Sequence, residues 1–142
     1  MMILDTNVVS GLCRGADRPI IQPWLNLQAT ESVWLTDIVI AELRVGVLGW
    51  PEGKGRAQLD AFYEDLIARF MERGRVASFT TATTRHFASG MAKAKAAGRE
   101  VRSFAEGAIA AIALERRMMV ATRDTGPFEA MGVRVVNPWA DQ

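Results

Sequence analysis

Asp5, Glu42, Glu106 and Asp124 are far apart in the chain, yet each falls where an apolar strand ends or within or at the head of an apolar helix. Carboxylates gathered from such places suit hard divalent cations. Mg²⁺ and Mn²⁺ take oxygen ligands, and a Mg²⁺ site uses one or two carboxylates plus waters, leaving positions for phosphate oxygens. Four acids would hold one or two ions. Such ions lower the pKa of an attacking water and stabilise the leaving oxygen of an in-line displacement, so the chemistry predicted is phosphodiester hydrolysis. Thr6, Asn7 and Thr122 stand beside the acids and would orient waters, carboxylates or a phosphate. Arg123 would hold a phosphate or pair with Asp124 or Glu129.

Each acid also has an ordinary reading. Asp5 or Thr6 caps the next helix from a solvated turn. Glu42 forms an ion pair or sits at a partly exposed edge. Glu106, in a first helical turn, is a capping acid whose ionised form the helix dipole favours. The metal reading rests on the four together. Glu42 has Ile38, Val45 and Gly46 at i−4, i+3 and i+4, so its carboxylate is expected on an apolar face away from solvent, where it requires a partner. Arg44 is adjacent in sequence and points elsewhere.

The elements that must position these residues alternate. The apolar run Met1 to Leu4 is a strand that ends at Asp5-Thr6-Asn7. Val33 to Thr36 is a second strand, and Thr36 and Asp37 cap a helix to about Leu48, stopped by Gly49, Trp50 and Pro51. Leu59, Phe62, Leu66, Ile67, Phe70 and Met71 recur at helical spacing from about Arg56 to Arg73. Val76 to Phe79 reads as a strand, Thr83 to Ala97 as a helix, and Ser103 to about Arg117 as a buried helix whose apolar run from Phe104 to Leu114 holds one acid, Glu106. Met118 to Ala121 is a strand into Thr122-Arg123-Asp124, a short turn or helix follows near Phe128, and Val133 to Val136 is the last strand. This order predicts an α/β fold, a mostly parallel sheet with right-handed crossovers and helices on both faces. Ligands of open sheets of this kind bind beyond the carboxyl ends of the strands, where Asp5 lies.

At 142 residues and 49% apolar the chain fits one compact domain, 1–142, with no repeat or linker. One cysteine, Cys13, excludes an intramolecular disulfide framework and a Cys-rich zinc site, and suits a reducing cytoplasm. One histidine, His86, offers no triad or zinc centre and is assigned a surface or packing role. The start has no secretory signal and no apolar run spans a bilayer, so a cytoplasmic, non-membrane protein is expected. The formal net charge of +1 decides nothing about nucleic acid.

Arg85, Lys93, Lys95, Arg99 and Arg102 make one segment basic, either to track an RNA backbone or as a solvated helix face. Trp24, Trp34, Trp50 and Trp139 are assigned to the core, with base stacking as the alternative. The stripe from Leu59 to Met71 is core or a contact for a second subunit or a partner helix.

The combination Met2-Ile3-Leu4-Asp5-Thr6-Asn7-Val8, Ala41-Glu42-Leu43, Glu106-Gly-Ala-Ile-Ala-Ala-Ile-Ala, Ala121-Thr122-Arg123-Asp124 and Val136-Asn137-Pro138-Trp139 resembles the PIN-domain family. More narrowly it resembles the VapC/FitB-like toxins of type II toxin–antitoxin systems. The match spans almost the whole chain in order and spacing. It implies a three-layer α/β/α sandwich and a Mg²⁺- or Mn²⁺-dependent endoribonuclease leaving 5′-phosphate and 3′-hydroxyl ends. It also implies a homodimer and a small cognate antitoxin whose tail enters the active site. Carried over residue by residue, it marks Asp5, Glu42, Glu106 and Asp124 as catalytic, with Asp5, Glu106 and Asp124 on the metal. Thr6, Asn7, Thr122 and Arg123 become supporting or substrate-contacting groups.

Two departures stand out. Glu106 occupies a place where the family usually has aspartate, and its extra methylene alters denticity or inserts a water between acid and ion. Pro127 occupies a place where many relatives carry a further acid, which leaves one fewer peripheral carboxylate for a second ion. A binding module that captures RNA or an antitoxin without cutting is the non-enzymatic alternative. A phosphatase-type aspartate nucleophile ranks behind both, because Asn7 stands where that chemistry wants a second acid.

Overall fold

The computed structural model describes residues 1–140; the expected range 1–142 runs two residues beyond them. The elements are β1 (Met2–Leu4), α1 (Thr6–Gly11), α2 (Arg18–Asn26), β2 (Val33–Thr36), α3 (Asp37–Leu48), α4 (Lys54–Glu72), β3 (Val76–Ala77), α5 (Thr83–Ala96), α6 (Phe104–Arg116), β4 (Met119–Ala121), α7 (Thr125–Met131) and β5 (Val135–Val136). The strands form one five-stranded sheet in the order β3-β2-β1-β4-β5. Every pairing is parallel, so the expected mostly parallel sheet is wholly so among the described residues.

Neighbouring side chains on a strand point to opposite faces, and here both faces are closed. Ile3 and Leu4 are 0% and 1% exposed, and Val120 and Ala121 are both 0%. Helices therefore cover the sheet on both sides. Chain order runs outward from β1 through β2 to β3, then returns across the sheet to β4 and β5. The reversal falls between β1 and β4, the switch point at which an open parallel sheet leaves a crevice at its carboxyl end.

Local chemistry sets the helix starts that face this crevice. The Asp5 carboxylate accepts from the Thr6 amide at 2.8 Å and caps α1. Thr36 Oγ1 accepts from the Val39 amide at 3.1 Å and caps α3. Ser103 Oγ accepts from the Glu106 amide at 3.3 Å and caps α6. The middle of α6, Gly107 to Ala113, is wholly buried. Glycines let it and its neighbours seat closely: a Cβ on Gly107 of α6 would lie 2.8 Å from Phe87 Cε2 of α5, and one on Gly90 of α5 would lie 2.6 Å from Met131 Cε of α7. Glu106, the residue before Gly107, is thus fixed at the head of a tightly docked helix.

Several strand ends are shorter than expected because another partner takes the amide. Phe79 N donates to the Asp37 carboxylate at 3.1 Å rather than extending β3. Met118 N donates to Ala113 O at 2.9 Å in the α6 terminus, where Arg117 adopts φ 54°. Val133 N donates to Phe128 O at 3.0 Å, so β5 begins only at Val135. Helix α2 was not foreseen; it begins with Pro19 in its first turn and carries Pro23 inside.

Candidate active site

The register of the sheet brings the first and last acidic segments together. Met2, Ile3 and Leu4 pair with Met119, Val120 and Ala121, and the Asp5 amide continues the ladder to Ala121 O at 2.9 Å. Asp5 and Thr122 therefore stand side by side, one step beyond their strands. Asp5 is 7% exposed and Thr122 0%.

A hydrogen-bond network joins these two strand ends. Thr122 Oγ1 donates to Asp5 Oδ2 at 2.7 Å, and Asn7 Nδ2 donates to the same oxygen at 3.0 Å. Asn7 Nδ2 also donates to Thr122 Oγ1 at 3.0 Å, which in turn accepts from the Asp124 amide at 3.1 Å. The Arg123 amide donates to Asn7 Oδ1 at 3.2 Å. Thr6 reaches the other way, its hydroxyl donating to Glu42 Oε1 at 2.6 Å. Thr6, Asn7 and Thr122 each bond to an acid of the four.

The four carboxylates lie within electrostatic reach of one another. Burial pushes the Asp5 carboxyl above its usual range, the bonds from Thr122 and Thr6 pull it back, and the charges of Glu42 and Asp124 push it up further. Glu106 is likewise raised, first by burial and then by Asp124, Asp5 and Glu42. Ser103-Phe104-Ala105-Glu106 has the sequence of a capping box, but among the described residues only the Ser103 half forms. The capping role weighed for Glu106 is filled by Ser103, and its carboxylate faces the other acids.

Among the described residues, none of the ion pairs involves Asp5, Glu42, Glu106 or Asp124. Nor do three His, Cys, Asp or Glu side chains close into a finished metal cage. The donor set nonetheless fits a hard divalent ion. It is all oxygen, it carries excess negative charge, and a Mg²⁺ site completes itself with water rather than with a protein cage.

Three sequence expectations are corrected here. Val45 and Gly46, expected to shelter Glu42, are exposed, Val45 by 70%; Glu42 is half-buried and its partner is the Thr6 hydroxyl. Arg123 pairs with neither Asp124 nor Glu129. Its guanidinium bonds to Asp17 at the head of α2 and lies 4.0 Å from the Trp139 ring centroid. Trp139 Nε1 also donates to Asp17, at 3.0 Å. Asp17 was missed because α2 was missed, although an acid two residues before Pro19 is a helix-start signal.

The third correction concerns the tryptophans. Trp24 is buried, Trp34 lies close to the guanidinium groups of Arg75 and Arg116, and Trp139 lies close to that of Arg123, but Trp50 is 52% exposed. Arg44 does point away from the acids, to Glu64 at 2.8 Å. In the basic segment, Arg99 reaches Gly126 O and Glu129, and Arg102 reaches Glu100; Arg85, Lys93 and Lys95 are exposed. Pro127 lies within α7, before the buried Phe128.

Comparison with known proteins gives this arrangement a family. The PIN domain profile matches residues 2–133. Plasmid stability protein StbB of Pseudomonas syringae pv. tomato is 43% identical over 141 residues, 98% of this chain and 99% of that protein. VapC ribonuclease Y4jK of Sinorhizobium fredii is 40% identical over 139 residues, 98% of each. Toxin FitB of Neisseria gonorrhoeae is 38% identical over 99% of this chain and 100% of that protein. The solved structure of FitAB bound to an IR36 DNA fragment superposes with a TM-score of 0.92 at 37% identity, covering 100% of this chain and 98% of that one. Similarity of this degree, continuous from β1 to the C-terminal segment and carried on the same all-parallel sheet, makes the chain a member of the PIN-domain family, of the VapC/FitB type.

Proposed function

We propose that the protein is a metal-dependent endoribonuclease that serves as the toxin of a toxin–antitoxin pair. One observation carries the reading: Asp5, Glu42, Glu106 and Asp124 repel one another at the switch point of the sheet, and among the described residues none has a cationic side chain as ion-pair partner. A fold retains such a concentration of charge where a cation is to be held. Relatives named as a VapC ribonuclease and as toxin FitB support the activity class.

Asp5, Glu106 and Asp124 would hold Mg²⁺ or Mn²⁺, with Glu42 as the fourth catalytic acid. When bound, the ion supplies activation of water and neutralisation of charge on the scissile phosphate. The protein's part is orientation. Thr122 and Asn7 fix the plane of the Asp5 carboxylate, and Thr6 fixes Glu42. Glu42 Oε2 is then available to accept a proton or align a water.

A small cognate antitoxin and a second copy of the chain are the proposed protein partners. Val45 and Leu48 on α3 and Met71 on α4, 62–70% exposed, offer apolar surface for such contacts. A cytoplasmic site of action is proposed with them; no described helix is long and apolar enough to cross a membrane.

The test is cleavage of a mixed RNA panel by the purified protein with Mg²⁺, Mn²⁺ or EDTA, with folded Asp5→Asn as the contamination control. Metal-dependent cutting lost in the variant is the expected result. Cutting that persists in the variant overturns the assignment, and no cutting with any ion favours a non-catalytic binding module.

A further inference from the structure

Trp50 is the tryptophan that the core does not use, and its surroundings give it a role. It sits in the loop between α3 and α4, its amide donating to Val47 O at 3.1 Å. The ring rests against Gly55 in the first turn of α4, where a Cβ would lie 3.7 Å from Trp50 Cζ3. That shelf supports the indole, which remains 52% exposed.

The indole lines a cleft of about 240 Å³ whose wall is shared with the acidic centre, since Thr6 and Glu42 line it too. Ser10 and Tyr63 add polar groups, and Arg14 stands at the rim. Arg14 is 59% exposed, and among the described residues its ion pair is a loose one of 3.8 Å to Asp17, which leaves its guanidinium available to a phosphate. Leu48, the neighbouring exposed apolar residue, lines a different cleft with Glu52, Arg56 and Asp60. The Trp50 cleft is therefore distinct from that part of the apolar helix surface and continuous with the site.

We propose that this cleft is a nucleobase subsite, in which Trp50 stacks on the base of a nucleotide flanking the scissile phosphate and Arg14 meets the adjoining backbone. The inference rests on the ribonuclease reading above. Three features select a single base. The volume lies below the roughly 300–1,000 Å³ of pockets that take drug-sized ligands. A base is neutral and can lie beside Glu42 without the repulsion a phosphate would meet there. An exposed, edge-supported indole with a nearby cation is the usual platform for an unpaired base, tolerant of sequence because every base has a π-face.

The experiment is steady-state cleavage by the full chain with Mn²⁺. Cut sites are first mapped on mixed-sequence RNA, and oligonucleotides are then made with an abasic ribose at each position flanking the preferred cut. At one position the abasic substitution is expected to raise KM about tenfold to a hundredfold in the wild type, with kcat nearly unchanged. Trp50→Leu is expected to show the same rise on intact RNA and no further loss on the abasic substrate, and Trp50→Phe to restore most of the affinity. Thermal melting checks that each variant is folded.

Wild-type KM in Trp50→Leu, or an equal loss on intact and abasic RNA, overturns the subsite while leaving the nuclease intact. So does a variant that keeps its RNA kinetics but no longer binds a protein partner, which would make the cleft a protein-docking surface. A folded wild type that cuts nothing with either ion removes the ribonuclease reading and this inference together.

Discussion

Asp5 and Glu106 bring the same charge to the same cluster under opposite constraints. Asp5 is at a strand end, 7% exposed, and its two oxygens accept from the Thr6 amide, Asn7 Nδ2 and Thr122 Oγ1. Glu106 is at a helix head and half-buried, and among the described residues its carboxylate accepts no hydrogen bond. One acid is fixed in plane and position before any ion arrives; the other keeps the torsional freedom of a longer side chain. A fixed acid sets where an ion sits, and a free one adapts to its size and water shell. The longer glutamate side chain thus falls on an acid whose carboxylate accepts no hydrogen bond among the described residues.

The largest expected effects come from removing each charge. Asp5→Asn and Glu106→Gln should both lose cleavage activity by well over the ~10–100-fold that loss of a supporting partner costs. They should differ in stability. Asparagine at position 5 sets an amide donor against the donors of Thr122, Asn7 or Thr6, a mismatch costing about 1–3 kcal/mol. Glutamine at 106 breaks no hydrogen bond among the described residues and relieves repulsion from Asp124, Asp5 and Glu42, so the metal-free melting temperature should hold or rise. Melting with and without Mn²⁺ checks this: saturating ion at about 100 Kd should add ~2.7 kcal/mol to the wild type and much less to either variant. Equal destabilisation of the two variants would break the comparison.

Thr122→Val comes next, because it keeps shape and removes the hydroxyl shared by Asp5, Asn7 and the Asp124 amide. Activity should fall ~10–100-fold. Stability should fall by about 1–3 kcal/mol, since the site is wholly buried and leaves donors unpaired. A denaturant titration beside the rate measures both. Glu106→Asp is gentler and tests the adjustable side alone. The ratio of Mg²⁺- to Mn²⁺-supported rates should rise several-fold, with stability within about 0.5 kcal/mol of the wild type. An unchanged ratio would mean that side-chain length at 106 does not tune the ion.

What the sequence made legible follows the range of the forces involved. The limits of β2 and α3, Val33–Thr36 and Asp37–Leu48, agree with the expected ones because a short-range Thr36 cap and a glycine stop define them. The alternation of elements pointed to a mostly parallel sheet, and the acids stood out at element ends for Asp5, Glu106 and Asp124 and inside α3 for Glu42. Helix α2 was hidden by Pro19 and Pro23, whose usual meaning is a break. Non-local partners were invisible. Nothing near Arg123 announces Asp17, 106 positions away, or the Trp139 ring. Nor does composition distinguish the exposed Trp50 from the buried Trp24; both sit beside prolines or glycines, and it is their placement in the fold, Trp24 within α2 and Trp50 in the loop before α4, that separates them.

The Asp17 contacts give the smallest effect and the outer limit of the comparison. They hold the segment carrying Thr122 and Asp124 from outside, through Arg123 and Trp139, without touching an acid of the cluster. The indole N–H of Trp139, followed by Arg123 and Arg14, draws the Asp17 carboxyl below its ordinary value of 3.8. A folded-state pKa depressed below the unfolded one stabilises the protein above the unfolded value and ceases to do so as pH falls through the folded value. Wild type should therefore melt above Asp17→Asn at neutral pH, and the gap should close as the pH drops below 3.8. At neutral pH the variant should lose only a few-fold in cleavage, less than the ~10–100-fold expected of a partner that bonds the acids directly. A loss as large as that of Thr122→Val would show that the outer clamp, and not the hydroxyl and amide around Asp5, fixes the rigid half of the cluster.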